Sequence, residues 1–135
     1  SEFSSFLKNN KGDIEAGLRE AVRLGFNILE KKGTAVDAVE ATVNYLEDNA
    51  LFNAGQGSAL NCLGEVEMDA SIMDGKNLNA GAVSMLSSVK NPVSLARIIM
   101  EKTRHVLLSG YGALEFAKIQ CPWTENCISQ NRSSL

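Results

Sequence analysis

A layered α/β domain, α+β in the order of its elements, is the fold class this sequence predicts, and three features predict it. Two stretches of helical period, Asp13 to Lys32 and Thr34 to Glu47, meet at a joint of about two residues. After Asp48 the period shortens, and segments 56–62, 65–73 and 79–87 have the length and turn-bounded ends of strands. Helical period then returns at Asn91–Pro92. Paired helices beside adjacent strands lack the regular alternation of a doubly wound nucleotide fold.

In the first helix Ile14, Leu18, Ala21, Val22, Gly25, Phe26 and Leu29 recur three or four apart as the buried stripe. Glu15, Arg19, Glu20, Arg23 and Glu30 take the wet face. Asp13 is placed to cap its start, and Gly33, after Lys31 and Lys32, to end it. Residues 1–12, SEFSSFLKNNKG, have no settled period and read as an extension. Thr34 caps the second helix with Asp37 in capping-box position, and Ala38, Val39, Thr42, Val43 and Leu46 form its buried stripe. So short a joint predicts antiparallel helices.

The strand segments read as a meander, with turns at Leu63–Gly64 and Asp74–Gly75. Alternation puts Val66, Met68, Ala70 and Ile72 on one face and Glu65, Glu67, Asp69 and Ser71 on the other. AGAVSMLS reads as a largely buried strand, with Ala80, Ala82, Val83, Met85 and Leu86 inside. Pro92 fits the first turn of a helix that packs Val93, Leu95, Ala96, Ile99 and Met100 inward. Val106–Leu108 reads as a short strand, and a last helix begins near Ser109 or Tyr111. The tail from residue 121, CPWTENCISQNRSSL, has no amphipathic period, and residues 119–135 read as a divergent C-terminal tail.

The 135 residues suffice for one domain or for one part of a larger one. Thirteen basic against sixteen acidic residues give a net charge of -3, which disfavours an extended phosphate-binding surface and makes nucleic acid a poor partner. Apolar runs are short and broken by charge, so no membrane span is expected. Cys62, Cys121 and Cys127 are too sparse for a disulfide scaffold. A Cys121–Cys127 bridge and a reduced, cytoplasmic set both remain open. Asn131–Arg132–Ser133 fits the glycosylation triplet, which has meaning only on a secretory route. His105 is the sole histidine, which removes most imidazole-based metal and nucleophile arrangements; a capping or packing role is expected for it.

Asn53–Ala54–Gly55–Gln56–Gly57 carries two glycines but neither the lysine nor the strand-to-helix setting of a phosphate loop. It reads as a tight turn, or as an anion or monovalent-cation site built from backbone groups. Asp69, sharing a face with Glu65 and Glu67, reads either as part of an acid–base carboxylate set or as an acceptor for nearby backbone donors. Asp74–Gly75 reads as a turn. None of Ser58, Ser71, Ser84 and Ser109 lies in a nucleophile-elbow motif.

The ordered run LEDNALFNAGQGSALNCLGEVEMDASIMDGKNLNAGAV, followed by KNPVSLARIIMEKT and GYGALEFA, resembles the threonine-nucleophile asparaginase family of N-terminal-nucleophile hydrolases. Plant-type isoaspartyl peptidase/L-asparaginase is the subgroup it is most similar to, with threonine aspartase and glycosylasparaginase as relatives. The likeness spans residues 13–118 and implies part of the α-subunit of a four-layer αββα sandwich. It implies cleavage of asparagine or β-aspartyl amide bonds by a threonine at the start of a β-subunit, freed by self-cleavage and using its own α-amine for proton transfer. A dimer of such αβ units is the implied assembly.

The family's opening His–Gly–Gly-type strand and its Gly–Thr start are not found in the sequence, and Thr34, Thr42, Thr103 and Thr124 do not occupy the nucleophile's context. The chain alone is therefore expected to be inactive. The resemblance implies Asn53 as the residue that supports the nucleophile. It also implies a structural sodium ion held mainly by backbone carbonyls of Leu46, Glu47, Asn49, Phe52, Ala54 and Gln56, and no organic cofactor. Asp69 and Asp74 would then organise a strand and the turn after it. The alternative is a truncated, non-catalytic homologue that acts by binding or assembly.

Overall fold

The computed structural model describes residues 2–120. The Cys121–Cys127 pair, Thr124 and the glycosylation triplet lie outside them. Five helices and a three-stranded sheet follow in the order α1 (Glu2–Asn9), α2 (Lys11–Glu30), α3 (Ala35–Glu47), β1 (Met68–Met73), β2 (Ala80–Leu86), α4 (Pro92–Lys102), β3 (Leu107–Ser109) and α5 (Gly110–Gln120).

The first stretch differs from expectation. Glu2–Asn9 is helical, and α2 starts at Lys11 with Asn10 before it, so Asp13 lies in its first turn and is not its cap. The end of α2 is a Schellman turn in which Gly33 N–H donates to Ile28 O (2.8 Å) and Lys32 N–H to Leu29 O (2.9 Å). The left-handed residue is Lys32 (φ 63°), not Gly33. Gly33 is needed for closeness instead, because a β-carbon there would lie 2.9 Å from the Ile28 carbonyl oxygen.

At the next helix the expected capping box is present: Asp37 N–H donates to Thr34 Oγ1 (3.1 Å) and Thr34 N–H to Asp37 Oδ2 (3.2 Å). Helices α2 and α3 are antiparallel, since Gly25 meets Ala38 and Thr42 while Gly17 meets Asn49 and Phe52 beyond the end of α3. This contact keeps Ala21 and Gly25 of the predicted stripe of α2 buried and corrects the rest. Its small residues Gly17, Ala21 and Gly25, four apart, are the buried ones. Close approach along that row leaves the larger Leu18, Val22, Phe26 and Leu29 on the neighbouring ridge, exposed, and Val39 of α3 is exposed as well.

The meander is also corrected. Residues 56–62 form no strand: Gly55–Gly57 is a 3-10 turn, and a single bridge joins Leu60 to Val66. Strands β1 and β2 form an antiparallel hairpin, but β3 pairs with β2 in parallel, after the α4 crossover. The strand order is β1-β2-β3, which leaves β1 at an edge. Its hairpin turn is the predicted one, with Lys76 N–H donating to Asp74 Oδ1 (2.9 Å) and Leu78 N–H to Asp74 O (2.8 Å).

All the core lies on one side of the sheet. Val83, Leu86, Leu95, Ile99, Ala113 and Ala117 form one buried cluster, and Ile72, Val93, Ala96 and Met100 form another, joined by Val36 and Val43 of α3. The inward residues predicted for α4 are all buried. Among the described residues nothing covers the opposite sheet face: Asp69, Ser71, Met73, Leu107 and Ser109 are exposed. Met85, expected inside, is exposed too, because β2 carries a bulge that sets Ser84 and Met85 against Asp69.

Candidate active site

The segment from Asn49 to Ser58 folds back on the end of α3 through local bonds. Phe52 N–H donates to Asn49 O (3.1 Å), Ala54 N–H to Phe52 O (2.8 Å) and Gly57 N–H to Ala54 O (3.0 Å). Two close contacts fix the coil. Gly55 (φ 51°) lies against the backbone of Glu47, and Gly57 against the carbonyls of Ala50 and Phe52, with no room for a β-carbon at either. The Phe52 ring rests on Gly17 of α2. These constraints coil the Gly-rich run, as its tight-turn reading has it, and keep the residues after Gln56 from extending as the expected strand.

At the mouth of this loop Asn53 is exposed, and its Oδ1 accepts the Ala59 N–H (2.8 Å). A cleft of about 380 Å³ separates the loop from β1, lined on one side by Asn53, Gly55 and Ser58 and on the other by Asp69 and Ser71, with Val93 of α4 at its base. Asp69 Oδ1 accepts the Met85 N–H (2.9 Å) across the bulge. The Met85 N–H, and then the Ser84 hydroxyl, hold the Asp69 carboxyl below the usual aspartate range. Asp69 thus acts on backbone donors, as one of its two readings has it. Met85 has φ 51°, so the carboxylate pins a left-handed residue beside the cleft.

Glu47 is the one buried charged residue among the described positions, at 3% exposure. Its Oε1 accepts the Val93 N–H (3.0 Å) and its Oε2 accepts from Asn91 Nδ2 (3.0 Å). Burial pushes its carboxyl up, and the bonds from Val93 and Asn91 oppose that shift. Sequence reasoning gave Glu47 only a carbonyl role; no short-range pattern marks a partner 46 residues away. It also missed Arg97, which bonds Asp37 Oδ1 (2.7 Å), Glu40 Oε2 (2.6 Å) and Glu101 Oε1 (2.7 Å), tying α4 to α3.

Of the other residues singled out, Thr34 is a cap, the Thr42 hydroxyl donates to Ala38 O (2.8 Å) and the Thr103 hydroxyl to Ile99 O (2.9 Å). Each is occupied by its own helix. His105 is exposed and bonds Thr103 through its backbone N–H (3.0 Å), so the predicted capping or packing role for its side chain does not hold. Cys62 is exposed and free. Among the described residues no cluster of His, Cys, Asp and Glu could hold a metal ion, and no helix is long and apolar enough to cross a membrane.

The asparaginase family profile matches residues 4–133. The isoaspartyl peptidase/L-asparaginase of Mus musculus is 52% identical over 115 residues, 85% of this chain and 35% of that protein. The Homo sapiens protein of the same name is 54% identical over 110 residues, 82% of this chain and 36% of that one. The plant-type L-asparaginase of Pyrococcus furiosus is 61% identical over 106 residues, 78% and 34%. The chain spans about a third of the length of these relatives. Its mixed sheet packed on helices matches the α/β layering of the sandwich that the resemblance implied. From the profile, these identities and the shared layering, the chain belongs to the asparaginase family of N-terminal-nucleophile hydrolases.

Proposed function

We propose that this chain supplies the α-subunit portion of an amidohydrolase that cleaves asparagine or β-aspartyl amide bonds, with the nucleophilic threonine carried by a β-subunit. The observation that carries this reading is the Asn53 cleft, whose far wall, Asp69 and Ser71, belongs to a bare sheet face and to an edge strand. A second polypeptide layered on that face would border Asn53. The threonine hydroxyl then attacks the substrate carbonyl and passes its proton to the α-amine. Collapse of the tetrahedral adduct expels ammonia or the peptide amine, and water releases aspartate from the ester. Asn53 supports the nucleophile's position, and a dimer of αβ units is the proposed assembly.

The loop fits a structural sodium ion by its donor chemistry. Leu46, Asn49, Phe52 and Ala54 offer neutral carbonyl oxygens, each accepting one backbone N–H and keeping a second lone pair. Glu47 offers its carbonyl towards Gly55, while its carboxylate turns to α4. Gln56 completes the set by position. Bound there, sodium would balance these dipoles and stiffen the loop. No organic cofactor enters the reading.

The test is aspartate release from a β-aspartyl dipeptide and from asparagine, by this chain alone and by the two-chain protein. Release by the two-chain form only is expected. Turnover proportional to the isolated chain, free of contaminating hydrolase, would overturn the role of the β-subunit. Silence of the two-chain form on both substrates would overturn the activity.

A further inference from the structure

Helix α4 begins without its own cap. Pro92 has no N–H, and the Asn91 side chain makes no bond to the helix it precedes. That side chain turns to α3 instead, with Nδ2 bonded to Glu47 Oε2 (3.0 Å) and Asp48 Oδ1 (3.1 Å). The first free donor of α4, Val93 N–H, is met by Glu47 Oε1. A carboxylate at the end of one helix thus caps another, and it is favoured there by the partial positive charge of the α4 N-terminus. The backbone of the same residue touches the Asn53 loop: a β-carbon on Gly55 would lie 2.7 Å from Glu47 Cβ and 2.8 Å from Glu47 Cα. The cleft includes Glu47, Asn53, Gly55 and Val93 in its lining.

We propose that Glu47 is a positioning residue for Asn53, its carboxylate locking the end of α3 to the start of α4 and its backbone passing that placement to the loop through Gly55. The inference rests on the amidohydrolase reading for its catalytic consequence, but the mechanical link is a property of this chain. Glu47 touches no reacting atom. It determines where the loop stands relative to β1, and so how wide the gap is between Asn53 and the Asp69–Ser71 wall. The neighbouring Asn44–Ser94 pair joins the same two helices (Asn44 Nδ2 to Ser94 Oγ, 3.1 Å) without lining the cleft, and so serves as a control.

The experiment compares Glu47→Ala, Glu47→Gln and Asn44→Ala in the two-chain protein, using a β-aspartyl dipeptide as substrate. Glu47→Ala is expected to lower kcat by about 10- to 100-fold with KM changed less than about twofold, since misplacement of a supporting group acts on the reacting geometry. Glu47→Gln keeps an acceptor for Val93 N–H and is expected to recover most of the loss. Asn44→Ala is expected to leave kcat within about twofold of wild type even if its melting temperature falls as far.

A second measurement, amide hydrogen exchange, needs no turnover. Protection of the Ala59 N–H, the donor to Asn53, should fall in Glu47→Ala and persist in Asn44→Ala. Unchanged Ala59 protection in both Glu47 variants overturns the inference, as does equal loss of kcat in Asn44→Ala and Glu47→Ala. Lost Ala59 protection in Glu47→Ala, with the wild-type two-chain protein inactive on the substrate, sustains the link and overturns the reaction instead. If Glu47→Ala does not fold, Glu47→Gln carries the same exchange comparison with a smaller expected change.

Discussion

Gly81 of β2 lies directly beneath Ala96 of α4, backbone against backbone. A β-carbon on Gly81 would overlap the Ala96 carbonyl oxygen and lie 2.7 Å from the Met100 nitrogen. Neither group can rotate away, because both belong to the helix. Gly81→Ala is therefore expected to destabilise the fold by about 3 kcal/mol by overpacking, read as a lower urea midpoint. A change below about 0.5 kcal/mol would show that α4 and β2 are further apart than described.

Asn53→Ala removes an acceptor from an amide at the exposed rim of the loop. Water can replace that bond, so the stability loss should stay near 1 kcal/mol or less. Hydrolysis by the two-chain protein should fall about 100-fold. Wild-type kcat/KM in that variant would return FNAGQG to its plain reading as a tight turn.

Arg97 predicts acid sensitivity. Bonds from Thr34, and then from Arg97, hold the Asp37 carboxyl below its ordinary value of 3.8. For Arg97, desolvation favours the neutral form, but the bonds to Glu101, Asp37 and Glu40 outweigh it and hold the guanidinium charged. A depressed carboxyl stabilises the fold fully above its unfolded value, and the contribution disappears as pH falls through the folded value. Arg97→Gln should cost about 1 kcal/mol at neutral pH, because its partners Asp37 and Glu101 keep 40% and 46% of their side-chain surface in solvent. The difference from wild type should shrink below pH 3.8. A pH-independent difference in melting temperature would remove Asp37 from the account.

The proposed sodium site predicts a cation effect. At equal ionic strength, the two-chain protein should melt at a higher temperature in sodium than in tetramethylammonium chloride, because an ion bound only to the folded state raises its stability. Equal melting temperatures would leave the Asn49–Ser58 coil held by its hydrogen bonds alone.

How much of this was legible in sequence depended on range. The Thr34–Asp37 capping box, the start of α4 at Pro92 and the Asp74 turn are short-range chemistry, and each appears as expected. The period of α2 showed that it is amphipathic, but not which apolar ridge meets α3. Ala21 and Gly25 are buried as expected, but close approach at Gly17 and Gly25 puts Leu18, Val22 and Phe26 outside. The turn at Asn53–Gly57 was legible from its glycines, but the strand expected over 56–62 does not form, because close contacts of Gly55 with Glu47 and of Gly57 with Ala50 and Phe52 keep the run coiled. Asn53 was named from the resemblance alone, and the structure places it on a cleft beside β1. The Glu47–Val93 bond spans 46 residues and has no local signature.

The bare sheet face carries its own chemical reporter. Met73 and Met85 hold exposed thioethers there, at 57% and 63%, whereas Met68 and Met100 are buried on the helix side. Peroxide converts an accessible thioether to its sulfoxide far faster than a shielded one. Mass spectrometry of the four methionines should therefore find the first pair oxidised and the second spared in the isolated chain. In a layered two-chain protein Met73 and Met85 should become as slow as Met68, so two sulfur atoms would report the closing of the sandwich without any substrate being turned over.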